Sequence, residues 1–162
     1  MKSRIGHGID VHQLVAGTPL ILGGVSIPHS SGSKGHSDGD VLYHAIVDAL
    51  LGGLALGDIG QHFPSEDKRW KGAQSQQFLE HVQYLMKGKG YVTVNVDATV
   101  ILQKPKLSPY ISEMRKNIAR ILSISVDAVS IKATTTDHLG FIGKGQGIAA
   151  TAVVLIIKTD GN

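Results

Sequence analysis

Apolar and polar residues alternate between residues 4 and 12, near the start of the chain. The alternation gives one face with Ile5, His7, Ile9 and Val11 and a second face with Arg4, Gly6, Gly8, Asp10 and His12. A period of two is the pattern of a β-strand, in which successive side chains point to opposite faces. We therefore predict a strand over this segment.

Two short apolar runs follow at residues 20–22 and 25–27. The Gly-Gly pair between them is typical of a hairpin turn. The Ser- and Gly-rich segment that comes after Pro28 predicts a loop.

A longer apolar run over residues 41–56 predicts a helix that ends near residue 51. Ser37 is the candidate N-cap, and Asp40 would be its acidic partner in the first turn. Residues 58–71 have no period and contain Gly60 and Pro64, so this segment predicts a loop.

The second half of the chain alternates between helical and strand patterns. We predict helices over residues 73–86 and 109–122 and strands over residues 92–102, 129–136 and 148–158. Strands and helices in mixed order predict an α+β fold, a single-domain sandwich with a mixed β-sheet and helices packed on one face. The length of 162 residues fits one domain that spans residues 1–162.

Composition excludes several classes of protein. The chain is 42% hydrophobic and 18% charged, which is typical of a globular protein. No apolar run approaches the roughly 20 residues that cross a bilayer, and no secretory signal is recognisable, so we expect a cytosolic protein, or a plastid one if the source is eukaryotic. A net charge of +3 with scattered Lys and Arg argues against a nucleic-acid surface. With no cysteine, any transition-metal site must use His, Asp or Glu.

A set of potential metal ligands emerges from these elements. Asp10 and His12 are two apart on a strand and share a face, and Asp40, His44 and Asp48 are four apart on a helix and share another. Asp10, His12 and His44 could form the three-ligand site with an open position that catalytic zinc uses, and Asp48 would orient a ligand without binding metal. Spacing alone leaves open a chance Asp-x-His pair, a helix-face histidine, or Mn²⁺ or Fe²⁺ as the metal.

Segments that could handle phosphate occur later in the chain. Residues 132–137 combine Lys132, three threonines and Asp137, a set that can bind phosphate oxygens and a bridging Mg²⁺. A threonine-rich edge strand explains the same residues equally well, and residues 104–106 could be a solvated turn. The glycines of residues 140–147 match no nucleotide-binding fingerprint.

Five motifs together carry a family resemblance that covers nearly the whole chain. They are Gly6-His7-Gly8-Ile9-Asp10-Val11-His12, His36-Ser37-Asp38-Gly39-Asp40, Gly57-Asp58-Ile59-Gly60, Phe63-Pro64 and Lys132-Ala133-Thr134-Thr135-Thr136. In this order and spacing the chain resembles the 2-C-methyl-D-erythritol 2,4-cyclodiphosphate synthase family of the non-mevalonate isoprenoid pathway.

The resemblance implies a reaction and its cofactors. The 2-phosphate of 4-diphosphocytidyl-2-C-methyl-D-erythritol 2-phosphate would attack the β-phosphorus of the same molecule, so that a cyclic diphosphate forms and CMP leaves. Zn²⁺ would bind to Asp10, His12 and His44, and Mg²⁺ or Mn²⁺ would bind near Asp137. Members of this family are similar to one another in that they form homotrimers with active sites between subunits, so the resemblance implies the same assembly.

The resemblance also implies roles for individual residues. His36 and Thr135 would stabilise the transition state. The substrate would contact Ser37, Asp58, Ile59, Gly60, Phe63, Pro64, Ser65, Glu66, Asp67, Phe141 and Lys144. The nucleotide would contact Leu102, Gln103, Lys104, Pro105, Lys106, Leu107, Ser108, Thr134 and Thr136.

Three positions depart from the family's pattern. Asp137 stands where many members have Glu, which shortens its reach to a second metal. Lys144 and Gln146 stand where members often have Arg and Glu, in a segment thought to line a cavity that holds isoprenoid diphosphates. A generic metal-dependent phosphoesterase and a catalytically silent trimer that binds phosphorylated metabolites are the rival hypotheses.

Overall fold

The fold is built on one central β-sheet with a small separate hairpin. The computed structural model of the protein describes residues 2–159. The strands are β1 (Ser3–Ala16), β2 (Leu20–Leu22), β3 (Val25–Ile27), β4 (Ser31–Ser33), β5 (Tyr91–Ile101), β6 (Val129–Thr134) and β7 (Gly147–Lys158). The helices are α1 (Val41–Leu54), α2 (Ile59–His62), α3 (Gln76–Gly88), α4 (Ile111–Leu122) and α5 (Gly140–Gly143), with 3₁₀ turns at Lys68–Trp70 and Val126–Ala128.

The central sheet has the strand order β4-β1-β7-β5-β6. The pair β5 and β6 is parallel, and the other neighbours are antiparallel. Strands β2 and β3 form the predicted hairpin outside this sheet. The prediction of an α+β fold with a mixed sheet is therefore confirmed.

Helix α1 is the centre of the hydrophobic core. It lies across β1 and β7, and all of its residues except Asp48 and Gly52 are buried. It approaches β1 closely because the facing strand positions are glycines. A Cβ atom on Gly6 would lie 1.7 Å from the carbonyl oxygen of Ala49, and one on Gly8 would lie 2.1 Å from that of Ala45. Only residues without a Cβ atom allow this contact.

On the opposite face of the sheet no helix packs among residues 2–159. Ile5 is 72% exposed, Ile9 59%, Val11 50% and Val153 44%. Pairing of His7 with Val153 and of Ile9 with Thr151 places these side chains in adjacent rows of one surface. The hydrogen-bonded side chains of His7 and Thr151 lie among these apolar residues. An exposed, mainly apolar surface of this kind often marks an interaction site in soluble proteins.

The start of α1 differs from the prediction. The N-cap is Asp40 and not Ser37, because the Asp40 carboxylate accepts a hydrogen bond from the Tyr43 amide. The carboxylate also accepts hydrogen bonds from the amides of Gly23 and Gly24, so it faces the hairpin turn. Asp40 therefore does not share a helix face with His44 and Asp48, contrary to the prediction. The helix ends at Leu54, and Ala55 is its left-handed C-cap.

Other predicted boundaries shift for local reasons. Residues 58–71, predicted as a loop, contain α2 and a 3₁₀ turn, because Asp58 and Asp67 each cap one turn with their side chains. The predicted loop after Pro28 contains β4, and the glycine-rich segment contains α5. The strand predicted to reach residue 136 ends at Thr134. Among residues 2–159 no helix has the length and apolarity needed to span a bilayer.

Candidate metal centre and nucleotide pocket

Three side chains from two elements meet between β1 and α1. Asp10 and His12 project from the helix-facing side of β1, two residues apart, and His44 projects from the first turn of α1. The contact of α1 with the strand glycines brings His44 into reach of both. The structure thus unites the three predicted ligands, and they are partly or fully buried.

The three potential ligand atoms form a small triangle. Asp10 Oδ2 lies 2.9 Å from His12 Nε2 and 3.0 Å from His44 Nδ1, and the two ring nitrogens are 3.3 Å apart. Zinc with tetrahedral bonds of about 2.0–2.1 Å holds its ligand atoms about 3.3 Å apart. One carboxylate and two imidazoles at this spacing therefore fit a divalent transition metal with a fourth position left for substrate.

The charges of the triangle are strongly coupled. Burial alone would raise the pKa of Asp10, but hydrogen bonds and charges from His12 and His44 outweigh it and hold that pKa well below its usual range. Burial alone would lower the pKa of His12, yet the hydrogen bond to Asp10 raises it above the usual value. Asp10 is therefore an ionised ligand at neutral pH.

Both ligand rings are fixed through their outer nitrogens. His12 Nδ1 donates to the carbonyl oxygen of Lys34 at 2.7 Å, and His44 Nε2 lies 2.8 Å from Ser75 Oγ. Metal-binding histidines typically donate their second ring N–H in this way. Asp48, which was predicted to orient a ligand, instead accepts the Ile59 amide at 2.7 Å. Ser75 lies at the outer nitrogen of His44, and an orienting role of Asp48 stays a prediction.

A small cavity of about 170 Å³ adjoins the triangle. Besides the ligands His12 and His44, it is lined by six residues that were assigned by sequence: His36, Ser37, Ile59, Gly60, Phe63 and Ser65. Trp70 and Phe78 complete it and were not predicted. The rings of Phe63 and Phe78 stack at 4.4 Å between centroids, and Trp70 meets both edge-on. These aromatic residues form an apolar wall opposite the polar ligands.

A larger cavity of about 610 Å³ lies where β5 and β6 end. It is lined by the whole predicted nucleotide segment, residues 102–108, and by Thr134 and Thr135 at the end of β6. His29, Ile111 and Ala133 also line it and were not predicted. The volume suits a nucleotide-sized ligand.

The two predicted catalytic residues are in different cavities. His36 lines the cavity beside the metal ligands, whereas Thr135 lines the nucleotide-sized cavity, and the two cavities share no lining residue. The residues next to the metal ligands on β1 and next to Thr135 on β6 belong to one row of paired residues across the sheet: Val11, Ala149, Ile101 and Thr134. Three strand spacings make the distance across this row about 14 Å.

Several predicted residues lie outside both cavities within the described chain: Asp58, Pro64, Glu66, Asp67, Thr136, Asp137, Phe141 and Lys144. Asp58 and Asp67 cap local turns, and the side chain of Asp67 pairs with Arg69. Asp137 is exposed with φ of 51° and is not part of the metal cluster. Phe141 is 51% exposed.

Comparison with known proteins places this geometry in context. A model of the YgbB family matches residues 3–157. The 2-C-methyl-D-erythritol 2,4-cyclodiphosphate synthase of Geobacter metallireducens is 60% identical over 153 residues, which are 94% of this chain and 98% of that protein.

Two solved structures have the same fold. The CDP complex of IspF from Plasmodium falciparum superposes with a TM-score of 0.86 at 38% identity, covering 98% of this chain and 97% of that one. The CDP-bound form of a 2C-methyl-D-erythritol-2,4-cyclodiphosphate synthase superposes with a TM-score of 0.88 at 36% identity, covering 95% of this chain and 100% of that one.

Proposed function

The chain belongs to the YgbB family, and we infer from this membership that it acts as a 2-C-methyl-D-erythritol 2,4-cyclodiphosphate synthase, a lyase of the non-mevalonate isoprenoid pathway. The observation that carries this conclusion is the 60% identity to a synthase over nearly the full length of both chains. The cluster of Asp10, His12 and His44 supplies the chemistry that such an enzyme needs.

We propose that the reaction is an internal phosphoryl transfer. An oxygen of the substrate's 2-phosphate forms a bond to the β-phosphorus, and the bond from that phosphorus to the bridging oxygen breaks. CMP leaves with the electron pair, and no water is consumed. Because no protein nucleophile is needed, the enzyme contributes positioning and charge stabilisation.

The ligand triangle is proposed to hold Zn²⁺. A bound divalent ion would act there as a Lewis acid that withdraws charge from the β-phosphate oxygens. Asp10, His12 and His44 would hold it, and the outer hydrogen bonds to Lys34 and Ser75 fix the two rings. The apolar rings of Phe63, Phe78 and Trp70 line the same cavity and would limit the access of water to the reacting phosphates.

The other roles remain proposals. His36 and Thr135 are proposed to stabilise the transition state, and residues 102–108 with Thr134 and Thr136 to bind the cytidine nucleotide, as CDP occupies the related structures. Asp58, Pro64, Glu66, Asp67, Phe141 and Lys144 stay predicted substrate contacts, and Asp137 with Mg²⁺ or Mn²⁺ stays a predicted second metal site. A cytosolic location likewise remains a prediction.

We propose that the active protein is a homotrimer with active sites between subunits. Two observations support this. The uncovered face with Ile5, Ile9, Val11 and Val153 provides an apolar surface for another copy. The backbone of β1 at the metal ligands and the end of β6 before Thr135 are also about 14 Å apart across the sheet, so a site that contains both can form between one protomer's metal centre and another's nucleotide pocket.

Product analysis tests the function. The purified chain, supplied with Zn²⁺ and Mg²⁺, is incubated with the diphosphocytidyl substrate, and products are identified by ³¹P NMR and chromatography. Equal amounts of CMP and a cyclic diphosphate are expected. Inorganic phosphate as the main product would favour a phosphoesterase, and binding without turnover would favour a silent protein. Light scattering tests the trimer, which an Ile9→Asp substitution should dissociate.

A further inference from the structure

Ser75 is a fully buried polar residue at the N-terminus of α3. Its side chain is 0% exposed, and its hydroxyl makes no capping bond to its own helix. Instead Ser75 Oγ lies 2.8 Å from His44 Nε2 and 3.2 Å from Ser37 Oγ. A buried hydroxyl is expected to have its hydrogen-bonding capacity used, and here its partners are His44, Ser37 and Asp38.

The direction of these hydrogen bonds follows from the chemistry of the ligand. His44 Nδ1 faces Asp10 in the triangle, so its lone pair must be free when it binds metal. In a neutral imidazole the proton then lies on Nε2, which donates to Ser75 Oγ. The Ser75 hydroxyl is left to donate its own proton elsewhere.

Asp38 accepts that proton. Ser75 Oγ donates to Asp38 Oδ1, and the Ser75 amide donates to Asp38 Oδ2 at 3.1 Å. Both carboxylate oxygens of Asp38 therefore accept hydrogen bonds from Ser75. Because the serine hydroxyl proton is donated to Asp38, it is not available for donation to His44. The result is a directed chain from Asp38 through Ser75 to His44.

We propose that Asp38 and Ser75 are positioning residues that fix the tautomer and ring orientation of the metal ligand His44. The inference rests on the proposed function, because it assumes metal at the ligand triangle. Neither residue touches the reacting atoms. Outer hydrogen-bond partners of metal-binding histidines commonly affect metal affinity by about 10–100-fold.

The same residues join the metal centre to the substrate segment. The Asp38 amide donates to the carbonyl of Ala73 at 3.1 Å, and the Gly72 amide donates to that of His36 at 2.6 Å. These two hydrogen bonds connect residues 72–73, which end the segment that carries Phe63 and Trp70, to His36 and Asp38. Ser75 therefore lies where the metal ligand and the substrate segment are held together.

The test uses Ser75→Ala with Ser33→Ala as the matched control. Ser33 is also a buried serine, 2% exposed, but its hydroxyl has no hydrogen-bond partner among the described residues. Zinc affinity of the metal-free full chain is measured by competition with a chromophoric chelator, and folding by thermal unfolding without metal. The His44 tautomer is read by ¹H–¹⁵N correlation of the imidazole in the zinc-loaded protein.

We expect Ser75→Ala to bind zinc about 10–100-fold more weakly than the wild type, and Asp38→Ala to behave similarly. The Nε2–H signal of His44 should be slow to exchange in the wild type and exchange fast in Ser75→Ala. Ser33→Ala should match the wild type in both measurements.

Two results would overturn the proposal. One is a zinc affinity of Ser75→Ala within about twofold of the wild type. The other is an equal loss in Ser75→Ala and Ser33→Ala, which would mean a general effect on the fold. A wild-type chain that binds no zinc would instead refute the proposed metal centre, and this inference with it, so the two failures are distinguishable.

Discussion

The contact between α1 and β1 predicts that Gly8→Ala damages the metal centre without touching a ligand. The new Cβ atom would lie 2.1 Å from the carbonyl oxygen of Ala45, 2.7 Å from the amide of Ala49 and 2.9 Å from Asp48 Cβ. Two of these atoms belong to the helix backbone, so no side-chain rotation relieves the overlap. The helix must move away from the strand.

The size of the movement follows from the same contact. An ordinary van der Waals contact begins at 3.4 Å, so α1 has to retreat by about 1.3 Å at Ala45. His44 is the preceding residue on that helix, whereas Asp10 and His12 stay on the strand. Metal sites hold their ligand distances within about 0.2 Å, so a shift of this size breaks the triangle.

Gly8→Ala should therefore lower zinc affinity by about 100-fold or more and destabilise the fold by about 1–3 kcal/mol through overpacking. Chelator competition and chemical denaturation of the metal-free chain measure the two effects. Gly52→Ala is the control on the same helix, since the nearest atom to its new Cβ is 3.9 Å away. It should keep zinc binding and gain about 0.5–1 kcal/mol. Wild-type zinc affinity in Gly8→Ala would refute the account of helix placement.

Three further predictions concern single side chains. His44→Ala should lose bound zinc and nearly all turnover while it stays folded, which elemental analysis and circular dichroism can check; full zinc content would exclude His44 as a ligand. Thr135→Ala should lower kcat far more than CMP affinity, and an unchanged kcat would leave Thr135 only a structural role. Burial raises the pKa of Asp40 from 3.8 to about 6, against three amide hydrogen bonds that lower it. Stability from the protonated form is then fully present well below pH 4 and lost as the pH rises through 6. Asp40→Asn should therefore be more destabilising at pH 4 than at pH 7, by about 2 kcal/mol. Urea unfolding of the metal-free chain at both pH values measures this, and an equal difference at the two pH values would contradict it.

The sequence predicted the metal ligands because their positions depend on local geometry. Residues 10 and 12 share a face on any strand, and the long apolar run around His44 forms a helix in almost any context. That α1 brings His44 to this strand depends on a tertiary contact, and the family motifs supplied that information before the structure did. The nucleotide segment, residues 102–108, was found through the same motifs.

Other features depend on contacts that a local pattern does not contain. Alternation in β1 gave two faces, but the core-facing side is the one with glycines and not the one with Ile5 and Ile9, because α1 packs against the glycine side. Ser37 and Asp40 are both good N-cap residues, and the amides of the distant hairpin turn select Asp40. Ser75 lies inside the helix predicted over residues 73–86, and nothing in the local pattern indicated that it contacts His44.

The backbone distance of about 14 Å between β1 at the metal ligands and the end of β6 before Thr135 has a consequence for mixtures of inactive proteins. If each active site takes its metal from one protomer and Thr135 from the next, a defect in either half is confined to the sites that use it. Co-expressed His44→Ala and Thr135→Ala chains would then assemble some sites from two intact halves. Random mixing in equal amounts should restore about a quarter of the sites, although each variant alone is inactive. Two inactive variants would together form a partly active enzyme through complementation between subunits.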